Sequence, residues 1–282
     1  MNITDPFVCP LCGSGNNKLI FYYTKPPIGE TTFQTIGNKY KRKIVQCELC
    51  SHMVSIENLL SNDMYISEYN KSTYTAPDGM RKTFTKIINL DNTQSDNYGR
   101  CNRIETFINE SIKISKKDNL KLLDVGSGLG IFPHEMKKRG YNISALDPDA
   151  DSIAHIASLV GVPTLCGEFG DINVENKFDF IFFNKVLEHV HDPVQMLSKA
   201  VELLNDGGYV YFEVPDGEIA RKSGQDREEF YIEHHHIFSF TSSSLLSTNA
   251  GLSPVAVERV IEPSSKYTLR VFCRSINKET NE

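Results

Sequence analysis

The stretch from Leu120 to Asp147, LKLLDVGSGLGIFPHEMKKRGYNISALD, restricts the fold more than any other part of the chain. It reads as strand, glycine turn, helix, strand. Leu120, Leu122, Leu123 and Val125 form the short apolar run of a parallel strand buried on both faces, and Gly126, Gly128 and Gly130 follow at once. Glycine there permits a sharp turn and a close approach of backbone to a ligand. The helix that begins near Ile131 accommodates Pro133 in its first turn, carries Lys137, Lys138 and Arg139 in its last, and stops at Gly140. The next strand, Tyr141 to Leu146, ends on Asp147, 21 residues after Gly126. An acid at the tip of the second strand of a nucleotide-binding βαβ unit can take both ribose hydroxyls.

The glycine spacing separates two cofactors. A dinucleotide fingerprint needs G-x-G-x-x-G, whereas position 131 is isoleucine. The D-V-G-S-G-L-G turn, with an acid closing strand two, resembles instead the class I S-adenosylmethionine-dependent methyltransferases, from about Leu120 to Arg274. The most specific match is Asp179 to Pro193, where an apolar strand breaks into Asn184-Lys185-Val186-Leu187-Glu188-His189-Val190-His191-Asp192-Pro193. It is similar to the family's D-x-I-x-x-x-x-V-L-E-H-V-x-D-P. The resemblance implies an α/β, Rossmann-like, doubly wound seven-stranded sheet with an antiparallel last strand. It also implies that Gly126, Ser127, Gly128 and Gly130 hold the methionine portion of S-adenosylmethionine, with Asp124 fixing the loop, Asp147 on the ribose and Asn184 near the sulfonium. Glu168 or Phe169 would lie beside the adenine, although by residue type they read equally as a loop acid and a core aromatic. Glu188 and His189 would shape the cleft or contact the acceptor; their alternative is a solvated start of a helix.

Two C-x-x-C pairs, Cys9/Cys12 and Cys47/Cys50, stand 34 residues apart. Four thiolates are the closed tetrahedral set of a structural zinc ribbon, with no open position for chemistry. A redox dithiol or merely buried cysteines are the competing readings. Leu19–Tyr23 and Lys43–Gln46 read as the ribbon's strands, with a Lys25-Pro26-Pro27-Ile28-Gly29 loop between them.

The chain is long enough for a core domain and a smaller one, so the boundaries read as 1–57 zinc ribbon, 58–117 helical linker or lid, and 118–282 catalytic domain. The lid should hold helices near Met80–Asn89 and Tyr98–Ile114, and one of Tyr65, Tyr69 and Tyr74 could reach the acceptor, or all three could simply pack on a neighbour. Residues 1–118 hold 15 Lys+Arg against 12 Asp+Glu, and 119–282 hold 15 against 24. An acidic catalytic half argues against a nucleic-acid partner, since such affinity rests on neutralising phosphates. The N-terminus MNITDPFVCP lacks a basic region followed by an apolar run, and no apolar stretch approaches a membrane span. The expectation is a cytoplasmic monomer or homodimer without membrane partners.

Beyond strand five, Glu213-Val214-Pro215-Asp216 opens a polar segment to Gln225 that is expected over the active site. Phe230 to Thr241, FYIEHHHIFSFT, then resembles the corresponding segment of sugar-modifying methyltransferases, some of which carry an N-terminal zinc domain. That resemblance implies His234 as base with Glu233 as its orienting carboxylate, and histidine suits proton removal near neutral pH. His234, His235 and His236 could alternatively bind a second metal, or the last two could face solvent and core. The expected activity is methyl transfer to a small glycan-related acceptor, a nucleotide sugar or polysaccharide precursor. The alternatives are a ribosomal RNA methyltransferase with a zinc module and a non-catalytic binding protein that keeps the fold.

Overall fold

The computed structural model describes residues 6–30, 40–57, 78–112, 117–172 and 177–276. Tyr65, Tyr69 and Tyr74 lie outside them. The central sheet is built from β4 (Lys121–Val125), β5 (Asn142–Asp147), β6 (Thr164–Cys166), β7 (Phe178–Asn184), β8 (Leu204–Pro215), β10 (Leu252–Ile261) and β11 (Tyr267–Ser275), in the order β10-β11-β8-β7-β4-β5-β6. Neighbours from β6 to β8 are parallel, while β11 runs antiparallel to both β8 and β10. This is the seven-stranded sheet with an antiparallel last strand expected from the sequence. The chain order reverses between β4 and β7, which places the switch point of the sheet beside the glycine turn.

Alternation along the strands makes both faces apolar. Leu123, Ile181, Phe183, Val210 and Phe212 face one cluster, which also holds Leu197 of α5 (Pro193–Glu202) and Leu246 of α7 (Phe240–Asn249). Leu122, Phe180, Phe182 and Tyr211 face the other. It is closed by Ile104 of α2 (Asp96–Ser111), Phe132 of α3 (Ile131–Lys138) and Ile156 of α4 (Ala150–Leu159), with Phe84 of α1 (Gly79–Ile88) beyond. Each such side chain contributes about 1.5–3 kcal/mol on burial. Asp192 caps α5 by accepting from the Gln195 amide, with Pro193 at its first position. The Asn205-Asp206-Gly207-Gly208 run is the irregular start of β8: Gly207 takes φ +76°, and the β7–β8 register shifts there.

A second sheet, in the order β1-β2-β3-β9, joins β1 (Asn17–Tyr23), β2 (Arg42–Cys47) and β3 (Met53–Glu57) to β9 (His236–Ile237). The two predicted ribbon strands are present, but the third strand and the borrowed fourth carry no local sequence signature. A buried pair reinforces the junction: Arg42 contacts Glu30 at 2.8 Å, and Glu30 also accepts from the Ile232 amide. The Arg42 guanidinium donates to the Phe230 carbonyl as well. The 217–225 segment, expected over the active site, packs against this sheet instead. It contains α6 (Gly217–Ala220), Arg221 donates to Gln46, and Tyr23 donates to the Gln225 carbonyl.

Candidate active site

The glycine turn is positioned by β4 and β5 together. Gly126 and Ser127 both donate to the Leu146 carbonyl, and Gly130 donates back to Ser127. Gly126, Gly128 and Gly130 all have positive φ, so each uses the freedom only glycine supplies without strain. A Cβ at Gly126 would lie 2.6 Å from the Val186 side chain. Gly126→Ala is therefore expected to lower stability by about 1–3 kcal/mol through overpacking. Chemical denaturation measures this, and an unchanged midpoint would show that the turn can yield.

Asp147 is 7% exposed and accepts from the Gly128 amide at 2.8 Å and the Asp149 amide at 2.9 Å, one on each carboxylate oxygen. Burial raises its pKa, and the two amides oppose that rise. Behind the turn, Asn184 donates to Asp124 at 2.8 Å and Ser127 donates to the Asp124 carbonyl. Burial pushes the Asp124 carboxyl up to about 7. The Asn184 Oδ1 atom is buried with no hydrogen-bond partner among the described residues. Space also opens at Gly128, where an added Cβ would meet nothing within 4 Å. These features suit a ligand with donors and a hydroxylated ring: each Asp147 oxygen retains a lone pair, and Asn184 retains an acceptor.

Two clefts open past the carboxyl ends of the parallel strands. The larger, of about 780 Å³, lies between the end of β5 and α5, and its walls include Pro148, Glu168, Val186, His189 and Met196. Phe169 takes no part in it. It is buried in the core, edge to face with Phe183 at 5.5 Å, because the turn after Glu168 sends the ring inward. The smaller cleft, of about 210 Å³, is lined by Lys185, Glu188, His189, Glu233, His234 and Tyr267, among others. His189 borders both.

The three successive histidines do not converge. His234 faces His189 at 4.9 Å between ring centroids, His235 stacks on His191 at 4.4 Å, and His236 reaches His52 at 3.1 Å. Each ring turns to a different partner, so the three do not form a shared ligand set. His234 and His189 instead approach Glu188, with ligand atoms of the three lying within 4.8 Å of one another. Glu233 does not orient His234 through its carboxylate. The His234 Nδ1 donates to the Glu229 carbonyl at 3.0 Å, while the Glu233 carbonyl accepts from His189 Nδ1 at 2.9 Å. Each bond to a carbonyl sets the tautomer, leaving the Nε2 lone pair as the basic position. Burial lowers the His234 pKa to about 4 and that of His189 to about 3, so both rings are neutral at pH 7. Burial acts oppositely on the carboxyls, pushing Glu188 up to about 8 and Glu233 to about 7.

Sequence reasoning misses Lys185 as a lining residue and the Glu229 carbonyl as the orienting group. The first sits at the break after β7, a visible signal; backbone carbonyls carry none.

The four ribbon cysteines form a separate group. Cys9 and Cys50 approach to 3.5 Å, as do Cys12 and Cys47, and all four sulfurs lie within 4.8 Å. A tetrahedron with zinc–sulfur bonds of about 2.3 Å has edges of roughly 3.8 Å, so the set fits that ion.

A sheet with this strand order, a glycine turn after its first strand and an acid ending the second define a class I methyltransferase fold. A family model described as a methyltransferase domain matches residues 98–257, and the chain belongs to that family, among the S-adenosylmethionine-dependent enzymes. Among curated proteins it is similar to a ubiquinone biosynthesis O-methyltransferase of Hydrogenovibrio crunogenus, 28% identical over 154 residues, covering 52% of this chain and 64% of that protein. A Chromobacterium violaceum enzyme of the same name is 34% identical over 113 residues, covering 38% of this chain and 47% of its own length. The chain thus spans less than two thirds of these relatives. Among solved structures, the 1,6-didemethyltoxoflavin-N1-methyltransferase of Burkholderia thailandensis, with bound 1,6-didemethyltoxoflavin and S-adenosylhomocysteine, superposes with a TM-score of 0.58. At 17% identity, covering 84% of this chain and 96% of that one, it shares the fold. Among the described residues no helix is long and apolar enough to cross a membrane.

Proposed function

We propose that the chain methylates a small, polar, glycan-related acceptor, with His234 removing the acceptor proton. The observation that carries this reading is that His189 lines both clefts, so a cofactor reaching from the glycine turn into the larger cleft, whose wall includes the Val186 that sits against Gly126, and an acceptor beside Glu188 and His234 would meet there. S-adenosylmethionine, when bound, supplies an electrophilic methyl group on a sulfonium leaving group. Gly126, Ser127, Gly128 and Gly130 would hold its methionine portion, Asp147 the ribose and Glu168 the adenine side, with Asn184 near the sulfonium. What remains for the chain is to align the reactants at about 3 Å and to manage one proton. His234 suits the proton transfer, because its Nδ1 is held by Glu229 and its Nε2 is in the proton-accepting form. Cys9, Cys12, Cys47 and Cys50 would hold zinc as a structural ion.

A second reading is methylation of a phenolic hydroxyl, favoured by similarity to the ubiquinone O-methyltransferases. The smaller cleft, with its lysine, carboxyls and imidazoles, favours the more polar acceptor. Release of S-adenosylhomocysteine, assayed with nucleotide sugars and with catechols, separates the two. Turnover of catechols alone would discard the glycan reading.

His234→Ala is expected to lower turnover about 10²–10⁴-fold, the usual contribution of a positioned base, with S-adenosylhomocysteine affinity unchanged. Since burial depresses its pKa, protonation should disable the base only as pH falls through about 4 rather than near 6.5. An acid limb at pH 6–7 that persists in His234→Ala would assign proton removal elsewhere.

A further inference from the structure

The smaller cleft contains polar groups that the protein itself leaves without partners. Lys185 follows the last residue of β7 and takes φ +60°, a left-handed conformation uncommon for lysine, with its amide tied to the Glu213 carbonyl. Such strain, where the surroundings enforce it, clusters at ligand sites. The Lys185 side chain lines the cleft, and among the described residues no carboxylate lies within ion-pair distance of it. Glu213, the acid nearest in charge terms, is already engaged on both oxygens: Arg100 donates twice to one, and Arg270 and Tyr211 donate to the other. Lys266, the cleft's other cation, pairs with Glu228 at 3.4 Å. Across the same space, Glu188 and Glu233 are 2% and 7% exposed, and each leaves Oε2 buried without a hydrogen bond. Buried polar groups in native proteins are almost always satisfied, so two orphaned carboxyl oxygens facing one cleft, beside a lysine that makes no ion pair among the described residues, point to a ligand that satisfies them.

Their chemistry states what the ligand must offer. An ammonium requires an acceptor and prefers an anion. The two carboxyl groups, with pKa values raised by burial, can accept from hydroxyls and, when protonated, donate to ring oxygens. A volume of about 210 Å³ lies below the roughly 300–1,000 Å³ of drug-sized sites and suits a single ring. We propose that this cleft takes a monocyclic, polyhydroxylated acceptor bearing one acidic group, a carboxylate or a phosphate monoester, which sits on Lys185 while ring hydroxyls bond to Glu188 and Glu233. The assignment rests on the cleft being the acceptor site of the methyltransferase proposed above, and it narrows that acceptor's class.

The test is calorimetric titration of the full chain, saturated with S-adenosylhomocysteine, against glucuronate, glucose 6-phosphate, glucose and glucosamine. At least one acid is expected to bind ten-fold or more tightly than glucose, and which of the two does so identifies the carboxylate or the phosphate. Lys185→Met should erase that difference while leaving S-adenosylhomocysteine affinity unchanged. Lys185→Gly, which suits the left-handed backbone, should do the same and guards against misfolding. Binding of glucose or glucosamine as tight as that of the acids, no binding by any of the four, or retained preference for the acid in both variants would overturn the proposal. Failure of S-adenosylhomocysteine itself to bind would instead overturn the methyltransferase reading on which it rests.

Discussion

Asp147→Ala is expected to weaken S-adenosylhomocysteine binding at least about 100-fold. The carboxylate is nearly buried and holds two backbone amides, those of Gly128 and Asp149, at 2.8 and 2.9 Å. Hydrogen bonds to a charged group are each worth about 1.5–3 kcal/mol, and every 1.4 kcal/mol is ten-fold in affinity. Removing the acid would therefore release the ribose and loosen the turn that carries the methionine end. Calorimetry with S-adenosylhomocysteine and an NAD control measures the first effect, and a melting curve of the same variant separates the second. Unchanged affinity would exclude Asp147 from the cofactor site; binding of NAD but not of S-adenosylhomocysteine would require a new account of the glycine turn.

Cys47→Ser should be the most destabilising single change. Cys47 is fully buried, and its sulfur is one of four within 4.8 Å. Structural zinc contributes about 10–16 kcal/mol of apparent binding energy in small zinc modules, and most of that would be lost with one ligand. Metal analysis is expected to find about one zinc per chain in the parent protein and far less in the variant, with a melting temperature lower by about 10 °C or more. The damage should reach the acceptor cleft. Ser239 donates to the Cys50 carbonyl, His52 meets His236, and β3 pairs with β9 immediately after His234 and His235. Turnover should consequently fall more than S-adenosylhomocysteine affinity. A folded, metal-free parent protein with an unchanged melting temperature would discard the zinc ribbon.

Legibility follows the range of the interactions. The β4 to β5 unit is readable because glycine turns, helix caps and buried strands are dictated by neighbours in sequence; Asp192 capping α5 is another instance. Phe169 is ambiguous in sequence because an adenine-side aromatic and a core aromatic share one residue type, and only packing against Phe183 separates them. Glu233 stands next to His234, yet the chain turns there, with the His234 amide donating to the Tyr231 carbonyl, and the group that orients the ring is the carbonyl of Glu229, five residues back. The two-residue strand β9 is illegible, since its existence depends on β3, about 180 residues earlier in the chain.

The parallel core, the glycine turn with Asp147 at the tip of the next strand, and the four-cysteine set can all be read from the residues alone, because each is written in local spacing and residue type. Packing in three dimensions is what joins the N-terminal sheet to a strand of the catalytic segment, sets His189 on the border of both clefts, and brings Lys185 to the space where Glu188 and Glu233 each leave a buried oxygen without a hydrogen bond among the described residues. Those are outcomes of packing between distant segments. Burial, which moves the histidines toward neutrality and the carboxyls toward protonation, depends on every element that covers the site rather than on any stretch of chain.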